Sequence, residues 1–237
     1  MRIFFCRKSM FLQGLAYVTA LALLIAGGAA VLPGPQTEPA FAQPYRCGAE
    51  NSDCVSLSFN VDWGEEYLPD ILAVLAENDV PATFFLTGRW CDLHPDLAAW
   101  IAEAGHELGN HGYSHASPNE SSREEIIDEI DRTEQSIREA TGVATRLYAP
   151  PAGETEEHVL EAAEQAGYCT VLWSVDTIDW QQPEADTVLR RVTEGLRGGA
   201  IILAHPTACT LQALPAIIDQ ARAEVYRFVT VSENLGL

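Results

Sequence analysis

The stretch from Ser56 to Glu66, "SLSFNVDWGEE", reads as the end of a buried strand running into a loop. With Val55 before it, its upstream part reads "VSLSFN", a short run of the kind that pairs on both sides in a covered parallel sheet. The loop that follows holds Asn60, Asp62, Glu65 and Glu66. Such a loop is either the rim of a site with its carboxylates set to work or a solvated acidic turn. The rest of the chain decides between the two.

Outward from this stretch the hydrophobic period switches repeatedly. "YLPDILAVLAEN" has apolar residues at helical spacing, "ATFFLTG" is strand-like, and "HPDLAAWIAEAG" is a helix stopped by Gly105. "ELGNH" predicts a short strand, and "SSREEIIDEIDRTEQSIREATG" a long amphipathic helix opened by a Ser cap and closed by Gly142. "RLYAPP" and "TEEHVLEAAEQAG" repeat the alternation, as do "YCTVLWSV", "EADTVLRRVTEGLRGG", "AIILAH", "TLQALPAIIDQARAE" and "RFVTVS". About seven β-α units in one domain predict an α/β fold, a distorted or incomplete parallel (β/α) barrel. In such folds chemistry gathers at the C-terminal ends of the strands.

Composition bounds the rest. The chain has 237 residues, enough for one sizeable core. Arg2, Arg7 and Lys8 precede the uncharged apolar run Phe11–Leu32, and a Pro-rich linker follows near Pro33–Pro44. Residues 1–42 therefore read as a signal peptide, with Ala40-Phe41-Ala42 as a cleavage site, or as a retained membrane anchor. The remainder, 43–237, is expected to work outside the cytoplasm, touching a membrane only through that segment. It carries eleven Arg and no Lys against 33 Asp and Glu. Such a surface repels nucleic acid and anionic lipid headgroups and suits a neutral or cationic substrate. Export permits disulfides, and Cys47 with Cys54 is the pair expected. The Cys spacings match no zinc cluster.

The residues capable of chemistry fall at strand ends. "GNHGYSH" places His111 and His115 four apart, a spacing that on a helical turn sets two imidazoles toward one divalent metal. A carboxylate from another strand end would complete the site, and Asp62 is the choice. Two His and one carboxylate leave positions open for water and substrate. His205 ends "AIILAH", and Asp179 in "DTIDW" can hold it as a general acid. His106 braces a turn, while His94 and His158 open surface helices and take no role. Trp63, Trp173 and Trp180 are core residues or an aromatic wall for a sugar ring.

The chain from about Val55 to Val231 resembles the polysaccharide deacetylase (NodB-homology) family, carbohydrate esterase family four. The matching residues are "SFNVDWG", "ATFFLTGRW", "GHELGNHGYSH", "APPAG", "WSVDTIDW" and "IILAH", in family order. The resemblance implies a distorted β/α barrel and a divalent metal, zinc first and Co, Mn or Ni as alternatives. Asp62, His111 and His115 would be its ligands. It implies His205 as the acid protonating the leaving amine and Asp179 as the residue that tunes it. Leu203 and Trp180 would line an acetate pocket, with Trp63 and Pro151 also against the substrate.

Two positions depart from the family pattern. Asn60 stands where the family has its Asp base, and Ala149 where it has the Arg paired with that base. An amide cannot take a proton from water at neutral pH. Three outcomes stay open: Glu65, Glu66 or Asp176 replaces the base, the metal alone activates water, or the protein binds glycan without hydrolysing it. The function expected is a metal-dependent hydrolase removing N-acetyl groups from amino-sugar polysaccharides of the cell envelope, peptidoglycan or chitin-like. The alternative is a catalytically impaired glycan-binding member of the same fold.

Overall fold

Alternation along the first strand sets up the whole molecule. The computed structural model describes residues 43–237. In β1 (Cys54–Val61) the odd-numbered Val55, Leu57, Phe59 and Val61 face one way and Ser56, Ser58 and Asn60 the other. The odd face enters the main core. That core is closed by α1 (Leu68–Glu77), α3 (Pro95–Glu103), α6 (Ala185–Gly195) and α7 (Ala208–Ala223), through residues such as Ile71, Ile101, Val188 and Ile218. The even face is small and polar. Ser58 donates to the carbonyl of Ile202 and Ser56 to that of Thr230, so these hydroxyls are buried without loss.

The sheet is parallel, in the order β5-β4-β3-β2-β1-β7-β6, curled into a half-barrel. Its members are β2 (Thr83–Leu86), β3 (Glu107–Asn110), β4 (Leu147–Tyr148), β5 (Cys169–Thr170), β6 (Val175–Asp176) and β7 (Ile201–Ala204). A short β8 (Arg227–Phe228) pairs with the start of β1. A second cluster of Phe85, Leu147, Ala149, Val171, Ile201 and Val231 fills the concave side. Gly109 is required there, because a Cβ at that position would lie 2.3 Å from the Phe85 ring. Outside the sheet, α4 (Arg123–Thr141) and α5 (Glu157–Gln165) cover Tyr148 with Ile126, Ile130 and Val159.

The expected fold class is the one observed, and three local expectations are corrected. "YCTVLWSV" is not one strand: β5 lies at one edge of the sheet, β6 at the other, and Val171–Ser174 crosses between them. The crossing is held by Leu172 N–H donating to the Tyr45 carbonyl (2.7 Å) and Ser174 N–H to that of Ile201 (3.0 Å). "RFVTVS" is strand only to Phe228; Thr230 then caps α8 (Val231–Leu235) through Glu233 N–H. Cys47 and Cys54 do not pair, and all five described cysteines are free. The Cys47 backbone bridges to Ala200, while the Cys54 sulfur lies 3.2 Å from Arg227 Nη2 and donates to Asp53. The proposed export segment lies outside the described residues. Among the described residues no helix is long and apolar enough to cross a membrane.

Candidate active site

Sheet register brings the first half of the site together. Val61 pairs with Leu86, so Asp62 and Thr87 emerge side by side from β1 and β2. Thr87 Oγ1 donates to Asp62 Oδ1 (2.9 Å) and also caps α2 (Gly88–Leu93) by accepting from Trp90 N–H. Two residues on, Arg89 Nη2 lies 3.0 Å from both carboxylate oxygens of Asp62. Neither Thr87 nor Arg89 was singled out from the sequence, although both lie within the "ATFFLTGRW" stretch at the end of a strand.

The two imidazoles come from the loop after β3. His111 is buried, with Nδ1 donating to the Ala149 carbonyl (2.6 Å), so Nε2 is its free nitrogen. Burial first, then the charges of His115 and His205, push its pKa down to about 3, and the ring is neutral. His115 is exposed and its ring centroid lies 5.0 Å from that of His111, edge-on. The expected helical turn is not what brings the two rings together: residues 111–115 form an irregular loop. His115 has φ 58°, and the loop is pinned by Glu129 of α4, which accepts from Tyr113 N–H, Ser114 N–H and Ser114 Oγ.

The opposite wall is built around Asp179, which is completely buried. Its Oδ1 receives His205 Nδ1 (2.7 Å), and its Oδ2 receives His205 N–H (2.6 Å) and the hydroxyl of Thr210. Thr210 too escaped the sequence reading, since nothing in "TLQALPAII" marks a helical Thr as a partner of a distant Asp. The preceding residue, Ile178, is held at φ 49°, an uncommon conformation for a β-branched residue, with Arg191 donating to the carbonyls of Thr177 (2.6 Å) and Ile178. Trp63 stacks parallel to His205, centroids 5.9 Å apart and planes 3° off. Gly64 allows this approach: its φ is +87°, and a Cβ there would lie 2.2 Å from the Pro206 carbonyl.

These walls enclose one cavity of about 380 Å³, lined by Asn60, Asp62, Trp63, His111, His115, Ala152, Trp173, Asp176, Trp180, Leu203 and His205. Nine of the ten expected site residues are therefore joined to it, Asp179 through His205. The tenth, Pro151, packs beside Gly112 and Tyr148, and Ala152 takes the place on the wall. Trp63 and Trp180 are 41% and 54% exposed, which apolar packing does not account for. Of the carboxylates weighed as replacement bases, only Asp176 lines the cavity; Glu65 is turned to His94 at 3.9 Å and Glu66 is exposed. His106 braces its turn as expected, accepting from Ala82 N–H.

Residues 48–171 match the family model for polysaccharide deacetylase. The chain belongs to the polysaccharide deacetylase family. A peptidoglycan-N-acetylglucosamine deacetylase of Bacillus cereus is 36% identical over 81% of this chain and 70% of its own length. The uncharacterized protein YlxY of Bacillus subtilis is 37% identical over 86% of this chain, which spans only 64% of that relative. Among solved structures, BA3943, a family-four pseudoenzyme from Bacillus anthracis, superposes with a TM-score of 0.79 at 40% identity, over 81% of this chain and 68% of that one. A mutant of it with restored enzymatic activity gives the same TM-score at 38% identity, over 81% and 71%.

The metal implied by the polysaccharide deacetylase family does not fit the residues as folded. Asp62, His111 and His115 share the cavity, yet among the described residues no group of three or more His, Cys, Asp and Glu is arranged to hold a metal. The Asp62 carboxylate is instead committed to Arg89 and Thr87. Ala149, where the resemblance places an Arg, is buried in the cluster that also holds Phe85 and Val171. An Arg there would have to displace that packing.

Proposed function

We propose that the cavity binds N-acetylated amino-sugar chains of the cell wall, peptidoglycan first, and that removal of the N-acetyl group there is impaired. One observation carries this reading: the site is asymmetric. The acid side is complete, with His205 held at two points by a buried carboxylate. The opposite side has an amide at Asn60 and a carboxylate at Asp62 already neutralised by Arg89.

In this reading Trp63 and Trp180 offer partly exposed aromatic faces to a pyranose ring. Leu203 and Trp180 shape the slot for the acetyl methyl, and His205 presents Nε2 to the amide nitrogen. The names of the relatives, peptidoglycan deacetylases acting on N-acetylglucosamine or N-acetylmuramic acid, support the substrate class. Export by residues 1–42 belongs to the same proposal, since the substrate lies outside the cytoplasm. A second reading, slow N-deacetylation, is favoured by the intact His205–Asp179 pair and by Asp176, a carboxylate on the cavity wall.

The test is a tryptophan-fluorescence titration of the full chain with N-acetylglucosamine oligomers in the presence of a chelator. Saturable quenching is expected, lost in Trp180→Ala and kept in Trp100→Ala, whose ring is exposed away from the cavity. No saturable change with either chitin-type or peptidoglycan fragments would sink the reading.

A further inference from the structure

The commitment of Asp62 is the feature the family resemblance does not explain. A carboxylate offers about four lone-pair positions, and in Asp62 three are engaged: two on Oδ1, by Thr87 and Arg89, and one on Oδ2, by Arg89 again. The two histidines are otherwise suitable donors, since His111 gives its Nδ1–H to the Ala149 carbonyl and keeps Nε2 free. We propose that Arg89 is a built-in counter-cation for Asp62, and that it keeps a divalent metal ion out of the pocket formed by Asp62, His111 and His115.

Three observations place the guanidinium there by construction. Arg89 follows β2, whose register beside β1 sets Thr87 next to Asp62. The Arg89 backbone N–H donates to the Tyr113 carbonyl (3.0 Å), and Gly88 N–H to that of Gly112, inside the loop that carries both histidines. The backbone that carries this side chain is thus tied to the same loop as the imidazoles, which sets the guanidinium within reach of Asp62. Asp62 itself is well shielded, with 17% of its side chain exposed, so its charge needs a partner. A dication entering beside Arg89 meets a like charge and a carboxylate whose negative charge is already balanced. The Arg89 side chain is half exposed, so solvent screens this repulsion and the effect is bounded.

The proposal deepens the reading of an impaired hydrolytic side and rests on it, but its test uses no glycan and no turnover. Zinc alone is titrated into the full chain, by calorimetry or by competition with a chromogenic chelator. The wild type is expected to bind weakly, through two imidazoles. Arg89→Ala should tighten binding by about 10- to 100-fold, the range over which groups around a metal's ligands commonly tune affinity. Asp62→Asn added to Arg89→Ala should cancel the gain. Arg89→Gln, which keeps most of the side-chain stem, repeats the experiment if circular dichroism shows that the alanine variant is not folded. Wild-type affinity equal to that of Arg89→Ala and Arg89→Gln would overturn the proposal, as would a gain that survives Asp62→Asn. If glycan titration fails while the zinc gain appears, the function is misread and the role of Arg89 stands.

Discussion

At the scale of single residues, His111 shows how the site constrains stability. Its ring is buried and neutral, with a folded pKa near 3 against 6.5 when exposed. The unfolded chain therefore takes up the proton first. The contribution is fully present above pH 6.5 and is lost as pH falls from there toward 3. Between pH 6.5 and 5 this one ring should cost about 2 kcal/mol. Denaturant melts of wild type and His111→Asn at both pH values measure it: the wild type should lose more, and equal losses would refute the neutral buried ring. What the sequence made legible at this scale was residue type at a strand end, which singled out Asn60, Asp62, His111, Asp179 and His205. It did not reveal Arg89, Thr87 or Thr210. Their roles come from sheet register and from a helix packed across the barrel, and neither leaves a local pattern.

At the scale of elements, the long helix α4 was legible almost to the residue because its signals are local. Ser122 accepts from Glu125 N–H while the Glu125 carboxylate accepts from Ser122 N–H, and Gly142 closes the helix at φ 74°. This helix also supplies Glu129, which pins the histidine loop. Ser122→Ala should lower stability by about 1 kcal/mol, read from chemical denaturation, with the cavity unaltered. A change below about 0.3 kcal/mol would show that tertiary packing, not the cap, fixes the start of α4. The strands were less legible. "YCTVLWSV" has the composition of one strand, yet it crosses from edge to edge, since pairing partners far along the chain decide where a strand stops.

At the scale of the whole molecule, the seam of the half-barrel lies between β5 and β6, and the segment from Tyr45 to Gly48 laces it. Tyr45 N–H donates to the Thr170 carbonyl (2.9 Å) and its own carbonyl receives Leu172 N–H, while Gly48 N–H donates to Gly199 (2.8 Å). Deleting residues 43–48 should lower the melting temperature by several degrees, while an equal melting temperature would mean that the sheet holds its curl unaided. The curl matters because it turns the ends of β1, β3, β6 and β7 toward one cavity, where His205, held by Asp179, faces Asn60 and the Arg89-paired Asp62. The most direct test of that asymmetry is acetate release from peptidoglycan by the wild type, with zinc and with a chelator, beside the Bacillus cereus deacetylase. The loss of a general base predicts a rate lower by about 10²- to 10⁴-fold and indifferent to the chelator. Release at a rate comparable to the Bacillus cereus enzyme, abolished by the chelator, would contradict it.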